Sequence, residues 1–143
     1  MRCWHKDLIP VLPRQQLLGQ WRECCGIARD IAKNGTPDHI LVNRILDYPL
    51  EHFVTFAQIV ILEMESRGYK PNSDRFFGWI AATDYIPMSI TNEALFSEWH
   101  NNIYLRQCLY NLEEKAICGG MEADEWKLIY ESFKDFTPLW CGK

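Results

Sequence analysis

Apolar residues recur at spacings of three and four through most of this chain, and no stretch alternates apolar with polar side chains as a half-buried strand would. That period predicts amphipathic helices, and glycines and prolines punctuate them. Pro13 suits a first helical turn, where its missing N–H has no partner anyway. From there Leu17, Leu18, Trp21, Cys25, Ala28 and Ala32 form one stripe, and Asn34–Gly35 supplies a stop. A short apolar-periodic piece follows at 40–46. A second long helix is expected from about Leu50 to Arg67, with Phe53, Phe56, Ala57, Val60, Ile61 and Met64 on its buried face and Gly68 ending it. Residues 69–91, rich in aromatic and turn residues, read as an ordered loop. A third helix is expected from about Asn92 to Ile117 and a last one from about Ala123 to Phe136, separated by Gly119–Gly120. The expectation is an all-α fold: three to four long helices on one core, with ordered loops, forming a single domain over 1–143.

Composition restricts where such a chain works. Apolar residues make up 48% and charged residues 24%, the balance of a globular protein. No apolar run reaches bilayer length. Charges at Arg2, Lys6 and Asp7 and prolines at 10 and 13 do not fit a signal peptide. A cytoplasmic protein with no membrane partner is expected. The six cysteines (3, 24, 25, 108, 118 and 141) form no CxxC pair and no paired spacing with histidine. They read as small buried hydrophobes kept reduced, not as a metal site. Net charge is −4, yet residues 1–48 hold seven Lys/Arg against five Asp/Glu (+2), and residues 49–143 hold eight against fourteen (−6). A polyanion site therefore belongs near the N-terminal part.

The first helix carries an unusual polar side. Gln16, Gly19, Glu23 and Gly26 share one face. Glycine inside a helix costs about 0.5–1 kcal/mol relative to alanine, so two of them flanking one glutamate need a reason. Either they bare a groove in which a ligand or backbone approaches Glu23, or they admit a neighbouring helix and leave Glu23 solvated at its rim. Arg22 lies beside this groove on a face shared with Gln15 and Arg29, side chains suited to phosphate and carbonyl contacts; the plainer reading is a solvated face.

The opening MRCWH followed by LPRQQLLGQWREC resembles the pyrimidine-dimer DNA glycosylase (endonuclease V-like) family, in its bacterial branch that starts Met-Arg-x-Trp-His. The similarity continues in order through RGYKP, DYIP, YLRQCLYNLEEKAI and the tail PLWCGK. The resemblance implies an α-helical repair enzyme whose terminal amine attacks C1′ of a damaged nucleotide. A Schiff base forms, the base leaves, and β-elimination cuts the strand, with the glutamate of an Arg-Glu pair as acid/base. Here that pair is Arg22–Glu23. Because arginine at position 2 is too bulky for removal of the initiator, the implied nucleophile is the amine of Met1, and Arg2 takes the place of the family arginine that contacts phosphate. An α-amine titrates near 7.7–8.0, well below a lysine, so a useful fraction is nucleophilic at neutral pH.

The resemblance also implies DNA contacts at Lys115 and at Gln16, which stands where the family has a histidine. Asn111 and Gly26 replace two family arginines, so fewer phosphate contacts and a gentler salt dependence are expected. Trp4 and Trp140 are candidates to stack on an unpaired base; a core role is the plainer one. His5 and His39 are candidates for polar contacts near the N-terminus, and Glu113–Glu114 read as a solvated helix face. The expected partner is damaged double-stranded DNA, acted on by a monomer without cofactor or metal. The alternative is a non-catalytic helical module that keeps the fold and binds DNA or protein; an amine-dependent enzyme with another substrate is a third reading.

Overall fold

The computed structural model describes residues 1–139. They form five α-helices: α1 (Arg14–Asn34), α2 (Glu51–Ser66), α3 (Ser73–Ala81), α4 (Asn102–Ile117) and α5 (Ala123–Ser132). Three 3-10 helices, Lys6–Val11, Asn43–Asp47 and Lys134–Leu139, complete the pattern, and no strand occurs among the described residues. Three of the α-helices are long, at 21, 16 and 16 residues, while α3 and α5 have 9 and 10. No helix there is long and apolar enough to cross a membrane.

α1 starts and stops where its punctuation placed it. Gly35 takes the left-handed conformation (φ 76°) and returns its N–H to the Ile31 carbonyl. At the other end Pro13 offers no capping side chain. The Glu125 carboxylate of α5 supplies the acceptor instead, taking the Arg14 N–H at 2.7 Å and the Glu122 N–H at 3.0 Å. One anion thus caps two helix starts, the end of a helix that favours negative charge.

Three expectations fail. Residues 69–91 are not all loop, because α3 lies inside them. Asn72 caps it by accepting the Arg75 N–H, and Phe76, fully buried, fits between Trp21 of α1 (5.8 Å) and Phe53 of α2 (5.5 Å). The third long helix begins at Asn102, ten residues later than expected. Leu95 and Trp99 are buried, so the apolar spacing does continue upstream. The backbone does not follow it: Phe96 sits at φ 47°, where a bulky side chain is strained, and Asn101 is extended and caps Tyr104 N. The last helix is likewise shorter than expected, ending at Ser132 before the 3-10 turn.

The segment before α1 is the part of the fold that makes a site. Cys3, Trp4 and His5 are buried (0%, 6% and 3% exposed), so the chain start threads through the core rather than lying on it. Arg67, at the end of α2, holds the following 3-10 turn by donating to the Leu12 carbonyl (2.8 Å) and the Pro10 carbonyl (3.2 Å), with Glu63 as its counter-ion at 2.8 Å.

Candidate active site

The first four residues lie between α1 and α4. On the α1 side, Gln20 clamps them twice. Its amide oxygen accepts the Trp4 N–H at 2.8 Å, and its amide nitrogen donates to the Arg2 carbonyl at 3.0 Å. One turn on, Glu23 Oε2 accepts the Arg2 N–H at 3.0 Å, and Oε1 lies 3.8 Å from the Met1 amine. On the α4 side, the Tyr104 hydroxyl donates to the Cys3 carbonyl. The terminal backbone is therefore fixed to within one residue of its amine, while Met1 itself is 42% exposed.

These residues open onto a cleft of about 340 Å³. Met1, Arg2, Gln16, Glu23 and Lys115 of the expected site all line it, with Gln20 and Asn111. Lys115 and Asn111 come from α4, about ninety residues along the chain from Glu23. Gly19 lines the cleft too, and the nearest atom to a Cβ placed there is the Arg22 guanidinium, at 3.7 Å. No described residue lies within 4 Å of a Cβ placed at Gly26. Among the described residues no neighbouring helix packs on either glycine, and they leave the groove open on both sides of Glu23.

Other expected residues fall elsewhere. Arg22 lines the adjoining cleft, its guanidinium leaning back over Gly19. Gln15 faces a separate groove with Glu122 and Glu125. Arg2 is half-buried; its guanidinium lies over the Trp4 ring (5.4 Å) and 3.9 Å from the Cys108 sulfur. Trp4 is core on one side and cleft wall on the other. His39 accepts the Leu41 N–H in the loop before the second 3-10 turn. Trp140 and Cys141 lie outside the described residues. Cys3, Cys24, Cys25 and Cys108 are buried as expected, whereas Cys118, at the end of α4, is exposed. Among the described residues no three His, Cys, Asp or Glu side chains are placed to hold a metal ion.

Gln20 was not among the expected residues. Its signal is its position: a glutamine on the buried stripe between Leu17, Trp21 and Cys24, only 1% exposed. A buried amide must find partners, and the chain start provides them.

A layer of rings supports the segment from behind. His5 stacks on His100 at 5.2 Å, and Tyr104 lies 5.1 Å from His100. Each imidazole accepts a main-chain N–H through Nδ1: Lys6 N to His100 at 2.9 Å, and Asp7 N to His5 at 3.1 Å. Burial, then the nearby His5, Lys6 and Arg44, push His100 from the ordinary 6.5 down to about 2, and burial lowers His5 against the pull of Asp7. His100 is thus neutral when folded, and burial shifts His5 in the same direction. Below pH 6.5 the unfolded chain binds protons that the folded chain refuses, so stability is complete above that pH and falls with it. At ~1.4 kcal/mol per pH unit for one such group, denaturant unfolding at pH 5 should give a stability at least about 2 kcal/mol below that at pH 7. An unchanged stability over this range would rule out a neutral buried His100.

The matching family model confirms the resemblance seen in the opening residues. A model of pyrimidine dimer DNA glycosylases matches residues 1–76, a span that includes the terminal segment, all of α1 with Arg22–Glu23, and α2. It ends before α4, so Asn111 and Lys115 lie beyond it. Neither the curated proteins nor the solved structures give a match. With the model covering more than half of its length, the chain belongs to the pyrimidine dimer DNA glycosylase family.

Proposed function

We propose that this protein is a DNA repair glycosylase with abasic-site lyase activity, in which the Met1 amine is the nucleophile and Glu23 the acid/base. The observation that carries the reading is the 3.8 Å between the Met1 amine and Glu23 Oε1 at the mouth of a cleft. The amine lone pair forms a bond to C1′ of the damaged nucleotide. The C1′–base bond breaks with its electron pair going to the base, which leaves protonated. Opening of the sugar ring, with a proton to O4′, leaves a protonated imine between Met1 and C1′. The carboxylate next to that cation stabilises it and is placed to take a proton from C2′. The C3′–O bond then breaks, and the strand is cut with phosphate as leaving group.

The fixed part of the site suits this role. Glu23 Oε2 is already spent on the Arg2 N–H, which holds Oε1 toward the amine. Such pre-positioning is what an intramolecular proton transfer needs. Buried amide oxygens of Gln16 and Asn111 have no hydrogen-bond partner among the described residues, and both side chains line the cleft. A buried unpartnered acceptor costs about 1–3 kcal/mol, and the N–H groups of a bound nucleotide would satisfy it. Lys115 adds a cation on the same wall for phosphate.

Borohydride reduction in the presence of abasic-site duplex tests the reading. A covalent protein–DNA adduct is expected, with peptide mapping placing the reduced bond on Met1. Duplex binding without any adduct would favour the non-catalytic module instead. The mechanism requires Met1 to carry a free terminal amine in the native protein, which an intact-mass measurement reports.

A further inference from the structure

Eight arginines are present in the chain, and six of them have a partner for their guanidinium within the protein. Arg2 lies on Trp4 and Cys108, Arg14 donates to Tyr69, and Arg29 pairs with Asp30 at 3.1 Å. Arg44 reaches Asp47 and Trp99, Arg67 pairs with Glu63, and Arg106 lies over Phe136. Arg22 and Arg75 alone have no hydrogen-bond, ion-pair or ring partner for their guanidinium among the described residues. Both line the same cleft, of about 410 Å³, between α1 and the start of α3.

This cleft adjoins the one at Met1. Arg22 forms the ridge between them, since its guanidinium hangs over Gly19, a wall residue of the Met1 cleft. Trp21 anchors the cleft from beneath, Asn72 caps α3 at its rim, and Gly26 leaves bare helix backbone along its side. No carboxylate lines it among the described residues. Asp30 is occupied by Arg29, and Asp74 does not line the cleft. Two exposed guanidinium groups line one concave surface with no carboxylate between them, so both forks are free for an anion. Their planar forks match phosphate oxygens two at a time.

We propose that the Arg22–Arg75 cleft binds a phosphodiester of the DNA strand next to the nucleotide held at Met1. Arg75 supplies from α3 the cationic contact that Gly26 does not supply from α1. The inference rests on the Met1 cleft being where the reacting nucleotide sits. It places the strand across Arg22, from one cleft into the other, and extends the interface onto α3.

Arg75→Ala tests it. The side chain is exposed, so its loss leaves the core intact. Binding of an abasic-site duplex, followed by fluorescence anisotropy over a range of salt, should weaken by at least about tenfold. The slope of log K against log salt should fall by about one, the loss of one phosphate contact. Arg75→Lys should recover most of the slope. Trapping at subsaturating DNA should fall in step with the lost affinity, as removal of a binding contact requires. A slope unchanged in Arg75→Ala would overturn the proposal, whatever the trapping result. A reduced slope in a protein that traps nothing would keep the phosphate cleft and discard the nucleophile at Met1. Inorganic phosphate should compete no better than other salts of equal ionic strength. Millimolar phosphate that displaces DNA from the wild type but not from Arg75→Ala would assign the cleft to a free phosphate and overturn the strand assignment.

Discussion

Glu23→Gln should lower single-turnover cleavage of abasic-site duplex by about 10²–10⁴-fold, the usual contribution of a positioned general acid–base group. The substitution is chosen for what it keeps. The glutamine oxygen still accepts the Arg2 N–H that Glu23 Oε2 accepts now, so the chain start stays in place. What is lost is the negative charge 3.8 Å from the Met1 amine and the capacity to take a proton. DNA affinity should hold or improve slightly, because one anion leaves the cleft. A deficit in affinity with normal cleavage at saturating DNA would make Glu23 a structural anchor. Unchanged affinity and cleavage would remove it from the mechanism.

Glu23 was legible in the sequence because of its neighbours. Glycine within a helix is a cost, and two of them one turn either side of a carboxylate marked that face for a purpose. The structure decides between the two readings of that face. Among the described residues neither glycine receives a helix, and the group within 4 Å of a Cβ at Gly19 is the guanidinium of Arg22. The site's partners were harder to see. Gln20 is buried in the stripe that the helical period assigns to the core, and a pattern of apolar spacings passes over a polar residue that is satisfied there. Lys115 and Asn111 reach the cleft through the packing of α4, which no local period encodes; for Lys115, motif resemblance was the source. Arg75 sat in a stretch read as loop. Its helix is nine residues long, holds a glycine at position 78, and owes its existence to Phe76 filling the gap between Trp21 and Phe53. Tertiary packing overrode weak local propensity there. At residues 92–101 the opposite happened. Leu95 and Trp99 keep the apolar spacing, but the positive φ of Phe96 and the extended Asn101 interrupt the backbone, so the period runs there without helical hydrogen-bond continuity.

N-terminal acetylation should abolish the borohydride-trapped adduct while leaving fold and DNA binding in place. An amide nitrogen has its lone pair delocalised into the carbonyl and does not form a Schiff base. The structure allows this small group: Met1 is 42% exposed, and the segment is held by the main-chain atoms of residues 2–6, none of which acetylation touches. Extension by a single residue is a sharper version. It retains a free α-amine of ordinary chemistry but moves it by about 3.8 Å, one Cα–Cα step, which is as far as the present gap to Glu23 Oε1. Trapping should then fall steeply rather than vanish. Two lysines are the rivals. Lys6 donates its ammonium to the Asn92 and Leu95 carbonyls, in the turn before α4, so it is held by another part of the fold. Lys115 is the stronger rival because it lines the same cleft. Acetylated protein that traps DNA as fast as free protein, with Lys115→Ala abolishing the adduct in both, would transfer the nucleophile from Met1 to α4. Loss on acetylation with full trapping in Lys115→Ala would leave Met1 as the attacking group and Lys115 as a phosphate contact.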